Sequence, residues 1–464
     1  MSSRKRKLDE LREKLNLMTG ADLPGTPPPS RPTGAQEHPE EQNPAQPDAP
    51  LSIAERLGLM DGRRFERDHE ELQQRRAAGD YEINHVLPGE IIGDEEAGFF
   101  LLRTEYPLDY HQGCMPLGAV LDCDAEHIAF TARDEELLAF DPRKTLFIDT
   151  ETTGLAGGAG TVPFLIGVAY FTGGLFRLDQ CFMRDYDDEE PMLEWLAELF
   201  KQHDTLVGYN SKGFDLPLMR ARFIQNRIPF RPGCGMHYDL VHAVRRVWKR
   251  RLRDCSLKNV ERQILDIERH GDVPSHLIPQ IWLDYLHTRD ARPLDRVFYH
   301  HKMDILSLVA LAAWVCQCLQ APHGGGFLHP EDRFSIVRLH FMQKNYEEVV
   351  AHGNALLEVE DRNTELRREC LQMLGMACKR LQRFEEMEQF FTLLVDEFPS
   401  HVTAHIELAK HHEHRRRDLL RAEQCCRQAL EHMERAGFPQ LDTAPLRHRL
   451  ARIRKKLDKL RDPE

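Results

Sequence analysis

The sequence predicts an α/β domain followed by an all-α solenoid, and three observations carry that expectation. Between Asp141 and Gln320 strand-like and helix-like stretches alternate, the pattern of a sheet covered by helices. Beyond Gln320 the chain reads as helix only, with Leu374-Gly375 recurring as Leu408-Ala409. From about Gly20 to Pro50 it is so rich in Pro, Glu, Gln and Ala that too little apolar surface is available to offset the entropy of ordering.

In chain order, residues 1–78 are expected to be a disordered tether with short charged helices at Lys7–Met18 and after Pro50. Residues 79–140 carry "GFFLLRTEYPL" and "HIAFTA", β-like runs broken by Gly, Pro and Asp that suggest a small strand-rich module. Residues 141–322 form the α/β domain. "TLFIDTET" is an almost continuous apolar run, as in a strand covered on both faces. "FLIGVAYF" and "LFRLDQCFM", joined through Thr172-Gly173-Gly174, predict a hairpin. Met192, Leu193, Leu196, Leu199 and Phe200 recur at helical spacing, "TLVGYN" is a further strand, and Leu240 to Trp248 mark another helix. Residues 323–464 are expected to be about three helical hairpins.

The net charge of -13 argues against a protein that coats nucleic acid indiscriminately, because such binding needs many cations on phosphates. A basic segment does exist, from Arg245, Arg246, Lys249, Arg250 and Arg251 to Arg253 and Lys258 around Trp248. It suits either a phosphate track or a solvated helix face. The eleven cysteines show no CxxC spacing and are expected to be reduced. The N-terminus lacks the apolar stretch of a secretory signal, and no apolar run approaches the roughly 18 residues a bilayer requires. A cytoplasmic protein without a membrane partner is the expectation.

Three segments carry candidate chemistry. Residues two apart on a strand point the same way, so Asp149 and Glu151 project together from the end of "TLFIDTET". Two adjacent carboxylates repel unless a cation lies between them, and a hard divalent ion suits oxygen ligands. Asp149 capping a turn beside a solvated Glu151 is the alternative. In "YNSKGFDLPLM", Asp215 opens a helix, as a ligand or as an N-cap, and Asn210 precedes it, either as part of the motif or simply as a lock on the loop. In "VFYHHKMDILSLVALAAWV", Asp304 sits in a strongly apolar helix with His300 one turn before it on the same face and Tyr299 turned aside. The glycines Gly154, Gly157, Gly158 and Gly160 either bring backbone N–H groups to a phosphate or permit tight turns.

Together "FIDTETTG", "YNSKGFDLPLM" and "HHKMD" resemble the three motifs of the DEDD superfamily of 3'-5' exonucleases, over about Thr145 to Leu319. The likeness is greatest to the YprB-like group of bacterial ribonuclease H-like proteins, which share "LKNVE" stretches and a tetratricopeptide-like tail. The C-terminal helices likewise resemble the tetratricopeptide repeat, with its 34-residue offset and closing Pro399. The resemblance implies a ribonuclease H-like fold with a mixed sheet flanked by helices. It implies Asp149, Glu151, Asp215 and Asp304 as ligands of two Mg²⁺ or Mn²⁺ ions, and His300 as base, with Tyr299 as the other candidate. DEDD members place Tyr four residues or His five residues before the last Asp; here the two types are exchanged. The implied substrate is single-stranded or frayed DNA or RNA, with the repeats free to bind a protein partner. A degenerate nuclease fold acting as an adaptor, and a pure protein scaffold, are the competing expectations.

Overall fold

Alternation along β5 (Thr145–Thr152) decides how the sheet is covered. Phe147 belongs to one buried cluster and its neighbours Leu146 and Ile148 to another, so the strand has apolar partners on both faces. In the computed structural model the described residues are 81–93, 98–154, 160–230, 235–320, 329–358, 364–435 and 443–461. The expected tether over 1–78, Gly157, Gly158 and the "APHGGGF" loop lie outside them. All described residues fall within one of the two compact units of the chain, Glu66–Glu464.

Beyond β5 the strands are β1 (Glu90–Ile92), β2 (Phe99–Pro107), β3 (His111–Gln112), β4 (Met115–Pro116), β6 (Pro163–Thr172), β7 (Leu175–Phe182), β8 (Thr205–Gly208) and β9 (Met236–Asp239). Seven of them form one mixed sheet in the order β1-β2-β7-β6-β5-β8-β9. β8 and β9 run parallel to β5, whereas β6, β7, β2 and β1 are added antiparallel. The β6–β7 hairpin turns through Gly173 at φ 58° and Gly174 at φ 80°, the paired positive values of the tight turn its Gly-Gly predicts.

Two expectations for residues 79–140 are corrected. β2 is not part of a module standing in front of the sheet; it pairs with β7 from Phe100↔Phe182 to Pro107↔Leu175. Its polar positions explain this, since Arg103 reaches the buried Asp179 directly across the pair at 2.7 Å and Glu105 meets Arg177 at 2.7 Å. "HIAFTA" is not a strand but lies in helix α1 (Ala125–Ala132), whose N-cap Asp124 accepts from the Glu126 N–H at 2.9 Å.

The later helices are α2 (Glu189–Lys201), α3 (Asp215–Gln225), α4 (Leu240–Trp248), α5 (Ile278–Thr288) and α6 (Leu294–Leu319). α1, α4 and most of α6 pack against the Phe147 face; α2, α3 and α5 pack against the Leu146 and Ile148 face. α6 is long and apolar enough by length and composition to cross a membrane, yet its apolar window is 72% buried inside the fold, as befits a core helix. Gly167 on β6 lets α6 come close: a Cβ there would lie 2.1 Å from Ile305 Cδ1 and 2.5 Å from His301 Cε1.

The tail continues as α7 (Pro330–Met342), α8 (Tyr346–Leu357), α9 (Thr364–Arg380), α10 (Phe384–Glu397), α11 (Val402–His411), α12 (Leu419–Arg435) and α13 (Ala444–Arg461), each packed against the next. The residues that carried the offset, Leu374, Met387, Phe391, Leu408, Ala409, Ala422 and Cys426, are all buried. A helical C-terminal region follows the sheet domain as expected.

Candidate active site

β5 ends at a bulge between Glu151 and Thr152, and its last Phe147-side positions are Asp149 and Glu151. Both therefore face α6. Asp149 is paired in register with Gly167, the strand position against which α6 packs most closely. The buried imidazole of His301 fixes that approach: Gln180 Nε2 donates to the Phe298 carbonyl at 3.0 Å and lies 3.1 Å from His301 Nδ1, while His301 Nε2 is 3.1 Å from the Asp149 carbonyl oxygen. With Nδ1 accepting, Nε2–H is the donor to Asp149. Burial lowers the His301 pKa to about 4, so the ring is neutral in this role.

α6 also delivers the next turn-neighbours. His300 Nε2 lies 3.3 Å from Asp304 Oδ2 and 3.8 Å from Glu151 Oε1, and the ligating atoms of Glu151, His300 and Asp304 all lie within 4.8 Å of one another. From the other face, Asp215 stands in the first turn of α3, buried, where it accepts a hydrogen bond from Thr150 Oγ1. It is not the N-cap residue, a position that Phe214 holds. The residue that locks the preceding loop is Asp239, which accepts from the backbone N–H of Asn210 at 2.7 Å and of Lys212 at 3.0 Å. Asn210 itself is exposed, in the left-handed conformation at φ 59°, so its part in the loop is conformational.

The electrostatics show that these carboxyls share one environment. Burial first, then repulsion from Asp304, Asp215 and Glu151, holds the Asp149 carboxyl well above its ordinary range. Burial, Asp304 and Asp215 do the same to Glu151. Asp215 is pushed up to about 6, chiefly by burial, despite the Thr150 bond that opposes the rise. Four acidic side chains from three distant segments thus meet, and a multivalent cation fits their donor set.

Two residues of this site carried no signal of their own in the sequence. Arg269, buried between turns, pairs with Asp304 and with Glu261, the latter at 2.8 Å. Burial opposes its charge, but Asp304 and Glu261 outweigh it and raise its pKa. Asp272 lies 2.7 Å from His300 Nδ1. Both sit in a loop without periodicity; Glu261, which closes the "LKNVE" stretch, is the buried carboxylate that holds Arg269. Tyr299 lies elsewhere, half-buried with the Lys302 amine 5.4 Å from its ring centre, in a depression shared with Leu102 and Thr104. Gly154 and Gly160 have no neighbour within 4 Å of a Cβ position among the described residues.

A mixed sheet flanked by helices, with acidic residues gathered at the end of its central strand, is consistent with a ribonuclease H-like fold. Residues 146–316 match the sequence model of a family described as RNase_H superfamily. That superfamily points to nuclease-type hydrolysis, nucleic-acid binding and, usually, divalent metals. Across more of its length the chain is similar to the "Uncharacterized protein YprB" of Bacillus subtilis (strain 168), with 29% identity over 371 residues, covering 78% of this chain and 87% of that protein.

Proposed function

We propose that this protein is a two-metal-ion 3'-5' exonuclease of the DEDD type, hydrolysing phosphodiester bonds in single-stranded or frayed nucleic acid. The observation that carries the reading is the convergence of Asp149, Glu151, Asp215 and Asp304, where burial and then repulsion by the other acids raise the first two well above the ordinary carboxylate range. These four would hold Mg²⁺ or Mn²⁺, which supplies Lewis acidity to the phosphoryl centre and charge to its leaving oxygen. The chain's own contribution is the base. Asp272 accepts the Nδ1 proton of His300 at 2.7 Å, leaving the Nε2 lone pair aimed at the Glu151–Asp304 edge, where it can take a proton from an attacking water. That arrangement favours His300 over Tyr299.

The tail supports a further part of the reading. Its buried Leu374-Gly375 and Leu408-Ala409 pairs fit a tetratricopeptide-like solenoid, a form whose concave surface recruits a peptide from a partner protein.

The test is a 5'-labelled oligonucleotide, DNA or RNA, incubated with Mg²⁺ or Mn²⁺. Stepwise release of mononucleotides from the 3' end is expected, abolished by chelator and by Asp149→Ala, and reduced about 10²–10⁴-fold by His300→Ala. Tyr299→Phe should leave the rate intact. A second reading has its own observation: Arg269 already neutralises Asp304, as in a degenerate site that binds nucleic acid without cutting it. Intact substrate with metal-independent binding would establish that adaptor in place of the enzyme.

A further inference from the structure

The tail meets the sheet domain chiefly where α7 packs on α4, and between α1 and the α7–α8 hairpin lies a cavity of about 670 Å³. His340 of α7 and Glu348 and His352 of α8 line it, and one ligating atom from each lies within 4.8 Å of the others. Glu348 and His352 are one turn apart on the same helix face, with Oε2 and Nε2 3.8 Å apart. The His340 ring is held between two others: it stacks on His352 at 5.1 Å between centres and 21° between planes, and lies tilted by 30° against Phe130 of α1 at 4.4 Å.

A second, independent observation points to a ligand. His340 is only 8% exposed, yet its Nδ1 has no hydrogen-bond partner among the described residues. His127 of α1, which lines the same cavity, has a buried Nδ1 in the same condition. Buried polar atoms without partners are rare, and an ion is one of the few explanations for a pair of them in one place.

We propose that His340, Glu348 and His352 form a transition-metal site, distinct from the acidic cluster on β5 and α6, and that its ion is Zn²⁺. Two imidazoles and one carboxylate are a borderline donor set that favours Zn²⁺ over Mg²⁺ or Ca²⁺, which select oxygen alone. Three protein ligands leave one tetrahedral position for a water from the cavity. Because all three ligands lie on α7 and α8, the ion clamps that hairpin beside the wall that α1 provides.

The experiment uses the full-length chain, stripped with chelator and returned to buffer with excess Mg²⁺ so that the oxygen-rich cluster is satisfied. Co²⁺ alone is then titrated while its visible d–d absorption is followed, and Zn²⁺ is used to displace it. One equivalent of tetrahedral Co²⁺, displaced by Zn²⁺, together with a higher Tm in Zn²⁺, is the expected result. His340→Ala and His352→Ala should each weaken Co²⁺ binding by at least the roughly 10- to 100-fold seen when a ligand's supporting partner is lost. Glu348→Gln provides a variant that leaves packing untouched, since that side chain is 54% exposed; it should weaken binding too. Binding that is octahedral, absent, or unchanged in Glu348→Gln and in either histidine variant overturns the site.

Discussion

A carboxylate at the end of β5 works against the fold that carries it. Asp149 and Glu151 are raised well above their ordinary range, and Asp215 to about 6, each chiefly by burial. A carboxyl whose folded pKa exceeds its unfolded one lends stability at low pH and loses it as pH rises through the folded value. The protein in chelator should therefore lose stability as pH rises through about 6, the value set by Asp215. Asp149→Asn removes one of the mutually repelling charges and should stabilise the chelated protein by about 0.5–2 kcal/mol while abolishing cleavage. Thermal unfolding in chelator and in Mn²⁺ checks this: the cation should raise the Tm of the parent more than that of the variant. A parent that gains nothing from the cation at pH above 6 would speak against a shared ion site. These acids were legible because strand alternation and one helical turn fix which side chains point together. Arg269 and Asp272 were not, because Arg269 meets Asp304 and Asp272 meets His300 only through a loop whose course no periodicity records.

At the scale of elements, the site depends on how closely α6 lies on β6. A Cβ at Gly167 would sit 2.5 Å from His301 Cε1, and that ring cannot turn away without losing Gln180 and the Asp149 carbonyl. Gly167→Ala should cost about 1–3 kcal/mol by overpacking and lower activity further, since His300 and Asp304 ride on the same helix. Gly154→Ala, where a Cβ would meet no described residue within 4 Å, is the control and should change neither urea midpoint nor rate. In the tail, the turn His412–Arg416 presents Glu413 to Arg449 at 2.8 Å, Arg452 at 2.6 Å and Lys456 at 2.7 Å on α13. Burial alone would raise this carboxyl, but Lys456 and Arg452 outweigh it and hold it down to about 2. Its folded pKa lies below the unfolded one, so its contribution is present above about pH 4.5 and is lost as pH falls toward about 2. Glu413→Gln should flatten the acid limb of the stability profile between those values; an unchanged limb would mean that α13 is held by packing alone. The helical periodicity of this tail is readable in the sequence, whereas that of α1 is not. "HIAFTA" has too few residues to reveal its period, and the useful signal was Asp124 at the cap, just before the run.

For the molecule as a whole, the basic segment after α4 has a use that its composition did not disclose. Trp248 is buried, Arg246 donates to the Thr131 carbonyl, and Arg250 lies over the Phe334 ring at 4.9 Å while reaching Glu369 at 2.9 Å. Arg251 grips Asp332 of α7, with Nη2 2.8 Å from Oδ2, the two side chains 17% and 3% exposed. Arg250 and Arg251 thus bind the tail to the sheet domain, which leaves fewer charges for a phosphate track and fits a net charge of -13. Burial raises the Asp332 carboxyl despite Arg251, so the pair offsets a desolvation cost that either partner alone would have to bear. Arg251→Met should destabilise by about 3–5 kcal/mol, because it leaves a buried acid without its counter-ion, whereas Arg251→Met with Asp332→Leu should recover most of that loss. Urea unfolding of the two single variants and the double one measures the coupling. A double variant as unstable as Arg251→Met would show that the seam needs the charges themselves, and a single variant as stable as the parent would show that the seam rests on the apolar contacts of α7 alone.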